Sequence, residues 1–310
     1  MFKRTVLLTV FLLVFGLEAQ ADVQSGRAAF EAKNYLVALK EFDSAAKAGD
    51  KDAQYWLGRI FDAGLGIDKD QDTAFTWFEK SALQHHAEAQ RVMGVYYEEG
   101  ISVGQDFEKA VEWYAESANQ GNAKAQRNLG GLYQDGLGVK PDLRLAKEFY
   151  TKAAAQGNLK AKRNLAYLYY FGAGVRRDYA KAAALFKETS DAGLGKGDYD
   201  LGRLYYRGQG VEKSLSKAAT YFRKSAKAGH GGAQLLLGRL HLLGKGVSKD
   251  SSEAYYWLTL AASQDQAAAK KLITKAEDNL SPEKLKSPKN APCNSGQSSR
   301  QIIAFTTFFG

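Results

Sequence analysis

A single cysteine, Cys293, excludes any intrachain disulfide, so stability must come from packing alone. Only 4 prolines stand against 31 glycines, so glycine serves backbone geometry here and not a loose Pro/Gly-rich tract. No run of five or six like charges occurs. The formal charge of +9, from 43 Lys and Arg against 34 Asp and Glu, therefore suits diffuse attraction to acidic surfaces and gives no reason to expect a nucleic-acid partner. The apolar run Val6 to Leu17 is near 12 residues, short of the about 20 that span a bilayer, so no membrane-spanning segment is expected. H-E-x-x-H, Cys/His clusters, G-x-S-x-G, Walker loops and kinase signatures are all missing. His85 and His86 fall at the end of a helix, His230 in a turn and His241 in an aromatic column. Those absences predict no catalytic residue, no cofactor and no metal.

What is present is a folded composition, 45% hydrophobic and 25% charged. Lys3 and Arg4, the apolar run and Ala19-Gln20-Ala21 together read as a Sec-type signal peptide over 1–21 cleaved after Ala21, with an uncleaved anchor as the alternative. That predicts a periplasmic or secreted protein.

The stretch GLYQDGLGV, Gly131 to Val139, contains a G-x-G of the kind that can cradle phosphate. Its glycine pair, Gly136 and Gly138, returns as Gly64/Gly66, Gly172/Gly174, Gly208/Gly210 and Gly244/Gly246, with a degenerate Gly100/Ser102, always at a step of 36 residues. The same step carries Ala53, Ala89, Ala125, Ala161 and Ala233, and then Leu57, Met93, Leu129, Leu165, Leu201 and Leu237. Aromatic or large apolar pairs recur from Trp77-Phe78 through Trp113-Tyr114 to Trp257-Leu258. Self-similarity of this extent is a repeat architecture. Within one copy, Ala125, Leu129, Leu132 and Tyr133 share a helical face, as do Ala146, Phe149, Tyr150, Ala153 and Ala154. The first glycine suits a left-handed residue past the end of helix A, the second lets the chain turn back, and Asp70, Asp106, Asp142, Asp178, Ser214 and Asp250 are N-caps for helix B. Each copy is thus an antiparallel helical hairpin. Trp113 is expected in the core, where replacement by Ala would cost about 3–5 kcal/mol.

The pattern A-x-x-x-L-G-x-x-Y-x-x-G-x-G-V-x-x-D-x-x-x-A-x-x-W-[FY]-x-x-A-A-x-x-G, here Ala125 to Gly157, resembles the Sel1-like repeat, a relative of the tetratricopeptide repeat. The resemblance covers residues 51–265 in six copies of 36. Residues 22–50 resemble a tetratricopeptide-type hairpin, 266–278 would form a capping helix, and 279–310 reads as a disordered tail with the apolar end Ile302 to Phe309. The resemblance implies an all-α fold, an α-solenoid coiled as a right-handed superhelix of about seven hairpins plus the cap, with A helices lining the concave face.

It also implies a monomeric, non-enzymatic adaptor that binds another protein in envelope regulation or assembly. An acidic polysaccharide or peptidoglycan is the alternative ligand. Cysteine-rich relatives from Helicobacter that bind or slowly hydrolyse β-lactams suggest a third reading, but they carry a disulfide in each repeat and this chain has none. Positions away from the Ala/Leu/Tyr stripe are the expected partner contacts: Tyr55, Trp56 and Arg59, then Arg91, Arg127, Asn128, Arg163, Asn164, Tyr167, Tyr170, Arg203, Tyr206 and Arg239, with Tyr199 and Phe171 beside them. Arg and Tyr are favoured at interfaces because each covers wide apolar area while keeping a directional donor.

Overall fold

The computed structural model describes residues 23–285, so the proposed leader and cleavage site, Cys293 and the apolar end at 302–309 lie outside it. Among the described residues every regular element is a helix. A first hairpin pairs α1 (23–31) with α2 (Tyr35–Lys47). Six A/B pairs follow: α3 (Lys51–Ala63) with α4 (Gln71–Leu83), α5 (Ala87–Glu99) with α6 (Phe107–Asn119), α7 (Ala123–Asp135) with α8 (Leu143–Ala155), α9 (Leu159–Phe171) with α10 (Tyr179–Asp191), α11 (Gly195–Arg207) with α12 (Leu215–Lys227), and α13 (Gly231–Leu243) with α14 (Ser251–Ala262). α15 (Ala267–Glu277) and the single turn α16 (Pro282–Leu285) end the described chain. The fold is an all-α solenoid of helical hairpins.

The chain divides into two compact units, the first ending at Asn158 and the second beginning at Leu159. Inside each, every helix packs on the helix before it and the helix after it. The repeating columns supply the contacts. Ala53, Ala89 and Ala125, with Leu57, Met93 and Leu129, are fully buried in the first unit, and Ala161, Ala233, Leu201 and Leu237 in the second. The second member of each pair fills the core, Phe78, Tyr114, Tyr150, Phe186, Phe222 and Leu258, and in the last pair Trp257 is buried as well. Trp113 is therefore not a core residue. It lies half-buried against the cluster around Phe78 and Tyr96, because the preceding helical position is turned roughly 100° away from Tyr114.

The loop chemistry follows the sequence closely. Asp70, Asp106, Asp142, Asp178, Ser214 and Asp250 each accept a backbone N–H in the first turn of helix B. The first glycine of each pair is left-handed, and the Gly136 N–H donates to the Leu132 carbonyl at 2.8 Å. The second has a further reason to be glycine. A Cβ on Gly138 would lie 2.3 Å from the Phe107 carbonyl, and one on Gly210 only 2.1 Å from that of Tyr179, so each loop sits directly on the start of the previous repeat's B helix. In the second copy, Ser102 takes the left-handed conformation at φ 59°.

A polar ladder also joins the repeats. Gln54 donates to the Ala46 carbonyl at 3.2 Å and accepts from Gln84 at 2.8 Å, and the same pairing recurs as Gln90 with Gln120, Gln126 with Gln156, and Gln234 with Gln264. Where the A-helix member is Lys162 or Asp198, the partner position holds Ala192 or Ala228. Lys162 then pairs with Glu188 at 2.7 Å and Asp198 accepts from Ser190 at 2.6 Å. At the end of the second unit, Ala269 and Ala276 are the buried residues of α15 and cluster with Leu258 and Ala261 of α14. Leu280 and Leu285, both within the segment read as a polar tail, pack onto that same cluster, since two leucines there find the apolar surface left by α14 and α15.

Candidate functional site

The residues expected to meet a partner all lie on A helices or at their ends. In the first unit Tyr55, Trp56 and Arg59 form one group with α1. The Arg59 guanidinium lies 4.9 Å from the Trp56 ring and 5.2 Å from the Phe30 ring, while Arg27 reaches Asp52 at 2.9 Å. Trp56 also stacks on Phe42 at 5.8 Å, so its ring is partly core. Tyr55 stacks on His86 at 4.6 Å. Burial holds the Tyr55 phenol above its ordinary range.

Arg91 donates to Glu88 at 2.7 Å, and Glu88 also accepts from Asn122 at 3.0 Å. Burial pushes the Glu88 carboxyl up, but the hydrogen bonds from Arg91 and Asn122 and the charges of Arg91 and Lys124 together hold it below its ordinary range. Arg127 donates to Asn128 at 2.6 Å, and its Nε is buried without a hydrogen-bond partner. Both arginines are thus half-buried and drawn into their own repeat.

The densest arrangement is in the second unit. Arg163 donates to Asp200 at 2.5 Å and to the Tyr167 hydroxyl at 3.0 Å, and Tyr167 in turn donates to the other Asp200 oxygen at 2.5 Å. Asp200 is 3% exposed, a buried carboxylate paired with one cation and hydrogen-bonded by a phenol. Burial first, then the Asp200 charge, raises the Tyr167 phenol. Arg203 lies over Tyr199 at 5.6 Å. Tyr199 stacks on His230 at 4.2 Å. Arg207 donates to the Tyr170 hydroxyl at 2.8 Å, which donates to Gln209 at 3.0 Å. Tyr206 packs on Phe222, Asn164 is half-buried, and Arg239 is exposed. Arg59, Arg203 and Arg239 form no ion pair among the described residues.

Sequence reading missed Asp200, since the +3 column otherwise holds Trp56, Val92, Asn128, Asn164 and Leu236; the signal was a lone acid in a column without one. It also missed the two histidine caps. His86 and His230 are N-caps of α5 and α13, their Nδ1 atoms accepting from Ala89 at 3.0 Å and Ala233 at 3.2 Å. His241 is buried and accepts from Arg223 at 2.9 Å through Nε2. Among the described residues there is no group of three or more His, Cys, Asp or Glu that could hold a metal. No described helix is long and apolar enough to cross a membrane.

The Sel1 repeat family profile matches residues 51–86, 87–122, 123–158, 159–194, 196–230 and 232–266. The chain belongs to the Sel1 repeat family. Sel1 repeat proteins are generally protein–protein interaction scaffolds, and their fold is typically non-catalytic. Among solved structures, a Sel1 repeat protein from Oxalobacter formigenes is 28% identical with a TM-score of 0.73, over 77% of this chain and 96% of that one. A protective antigen present in uropathogenic Escherichia coli strains, described as displaying an SLR fold, is 27% identical with a TM-score of 0.58, over 86% of this chain and 66% of that one. No curated protein matches the chain.

Proposed function

We propose that this Sel1 repeat chain is a secreted or periplasmic scaffold that binds another protein on its A-helix face, serving regulation or assembly in the cell envelope. The observation that carries the reading is the sorting of the arginines. Arg91, Arg127 and Arg163 are tied to Glu88, Asn128 and Asp200, whereas Arg59, Arg203 and Arg239 keep their guanidinium groups without an acidic partner, the first two lying against aromatic rings. A cation resting on a ring offers a partner wide apolar area and a directional donor at once.

The contacts therefore centre on Tyr55, Trp56 and Arg59 in the first unit and on Tyr199, Arg203 and Arg239 in the second. Affinity capture of the mature protein from its own envelope extract, followed by mass spectrometry, tests this. A partner retained by the wild type and lost from Arg59→Glu/Arg203→Glu/Arg239→Glu supports the reading; an unchanged set of captured proteins contradicts it. Binding of an acidic glycan is the second reading, favoured by the same unpaired arginines. It predicts affinity that falls steeply with salt, where an aromatic-centred protein interface weakens less.

A further inference from the structure

The two units differ sharply in charge. Residues 23–158 hold 16 Lys and Arg against 20 Asp and Glu, while residues 159–285 hold 22 against 12. The difference concentrates at one edge. The segments from the last residue of each A helix through the first turn of its B helix, 63–73, 99–109 and 135–145, carry four cations and eight anions in the first unit. The corresponding segments 171–181, 207–217 and 243–253 carry eight cations and four anions in the second.

These segments lie side by side in the second unit. Gly210 sits on the Tyr179 backbone and Gly246 on that of Leu215, so each loop rests on the start of the previous B helix. Residues at the 36-residue step consequently form rows along the edge. One row is Arg177, Lys213 and Lys249, all exposed and in no ion pair. Lys181 and Lys217, both exposed residues, follow a turn later, their ammonium groups lying against the Tyr169 and Tyr205 rings. The last A-helix residues form a second row of Phe171, Arg207 and Leu243, in which Phe171 is 66% and Leu243 49% exposed. The same column in the first unit reads Ala63, Glu99 and Asp135.

We propose that this loop edge of the second unit docks on an anionic lipid surface. Cations in rows one repeat apart, on loop tips and not in a groove, with two large apolar side chains standing out beside them, fit a flat charged layer that has an apolar interior within reach. A nucleic-acid strand would call for a groove that tracks a backbone, whereas these cations stand on successive loop tips. The edge does not include Tyr199, Arg203 or Arg239, on which the proposed protein contacts of this unit centre, so either reading can fail alone.

The test is co-sedimentation of the full chain with phosphatidylcholine vesicles, either pure or containing about one-third phosphatidylglycerol. The wild type is expected to pellet with the anionic vesicles and not with the neutral ones, and to be released by raised salt. Arg177→Glu/Lys213→Glu/Lys249→Glu should lower the apparent affinity by about tenfold or more. Phe171→Ser/Leu243→Ser should lower it severalfold, and Lys69→Glu/Lys109→Glu in the first unit should leave it unchanged. The neutral triple Arg177→Gln/Lys213→Gln/Lys249→Gln, with the wild-type circular dichroism spectrum, provides the same readout if the charge reversal fails to fold. Equal binding to both vesicle types, no binding to either, or unaltered binding by both triples would overturn the proposal, as would tight binding to heparin or duplex DNA with no vesicle binding.

Discussion

Two histidines show how a single side chain links pH to stability. As caps, His86 and His230 must present an unprotonated Nδ1 to a backbone N–H, and protonation would remove the acceptor and set a cation against the positive end of a helix. Burial holds both imidazoles below the usual histidine range. Around His86 it outweighs the opposing pull of Asp52 and Glu88 and is reinforced by Lys51; around His230 it outweighs Asp200 and is reinforced by Arg163 and Lys196. A folded pKa below the unfolded one means the unfolded chain takes up protons first. The contribution is therefore complete above the unfolded value of about 6.5 and is lost as pH falls below it towards the folded value. Melting midpoints should drop between about pH 7.5 and 5, and His86→Asn/His230→Asn, which copies the cap found at Asn122, should flatten that slope. An unaltered slope in the double variant would remove these two caps from the explanation and leave the buried His241, whose imidazole burial also holds down. Asp200 makes a second test at this scale. Asp200→Asn leaves Arg163 and Tyr167 without their shared acceptor charge and should cost about 1.5–3 kcal/mol in urea unfolding, lowered towards the bottom of that range because Arg163 reaches solvent.

At the scale of the elements, most of the hairpin was legible. The B-helix caps and left-handed glycines could be read because their chemistry is local: a short acceptor before an apolar run, and a residue without Cβ after one. Inter-repeat contacts were less so. The Gln54–Gln84 ladder spans 30 residues and joins two columns that each look like ordinary polar surface, and only the matched loss of both glutamines at Lys162/Ala192 and Asp198/Ala228 betrays it. The choice between Trp113 and Tyr114 for the core depended on a turn of one residue about the helix axis, which pattern alone does not settle. The two kinds of glycine separate by mutation. Gly210→Ala adds a Cβ against the Tyr179 carbonyl as well as left-handed strain, whereas Gly193, at φ 81°, has nothing within 4 Å. Gly193→Ala should thus cost about 1–2 kcal/mol and Gly210→Ala clearly more, and equal shifts in unfolding midpoint would show that the loops do not seat on the preceding helices.

For the whole molecule, repetition made the fold legible while concealing function. The columns that recur are the ones that pack, and they identify the family; the contacts proposed above lie among the residues that vary between copies. The candidate contacts were found by that difference, yet the sequence could not separate Arg203 and Arg239, which stay free of acids, from Arg163, which is bound to an acid on the next A helix. Nor did the net charge of +9 reveal that the second unit holds the excess and the first is acidic. The central claim is that a protein partner meets the A-helix face. Site-specific photo-crosslinking in the native envelope tests it most directly, with a crosslinking residue placed at Arg203 on α11 and, for comparison, at the exposed Lys187 on α10. The account predicts a discrete adduct with another protein from position 203 and none from 187. Adducts only from 187, the same adducts from both, or none from 203 would contradict it.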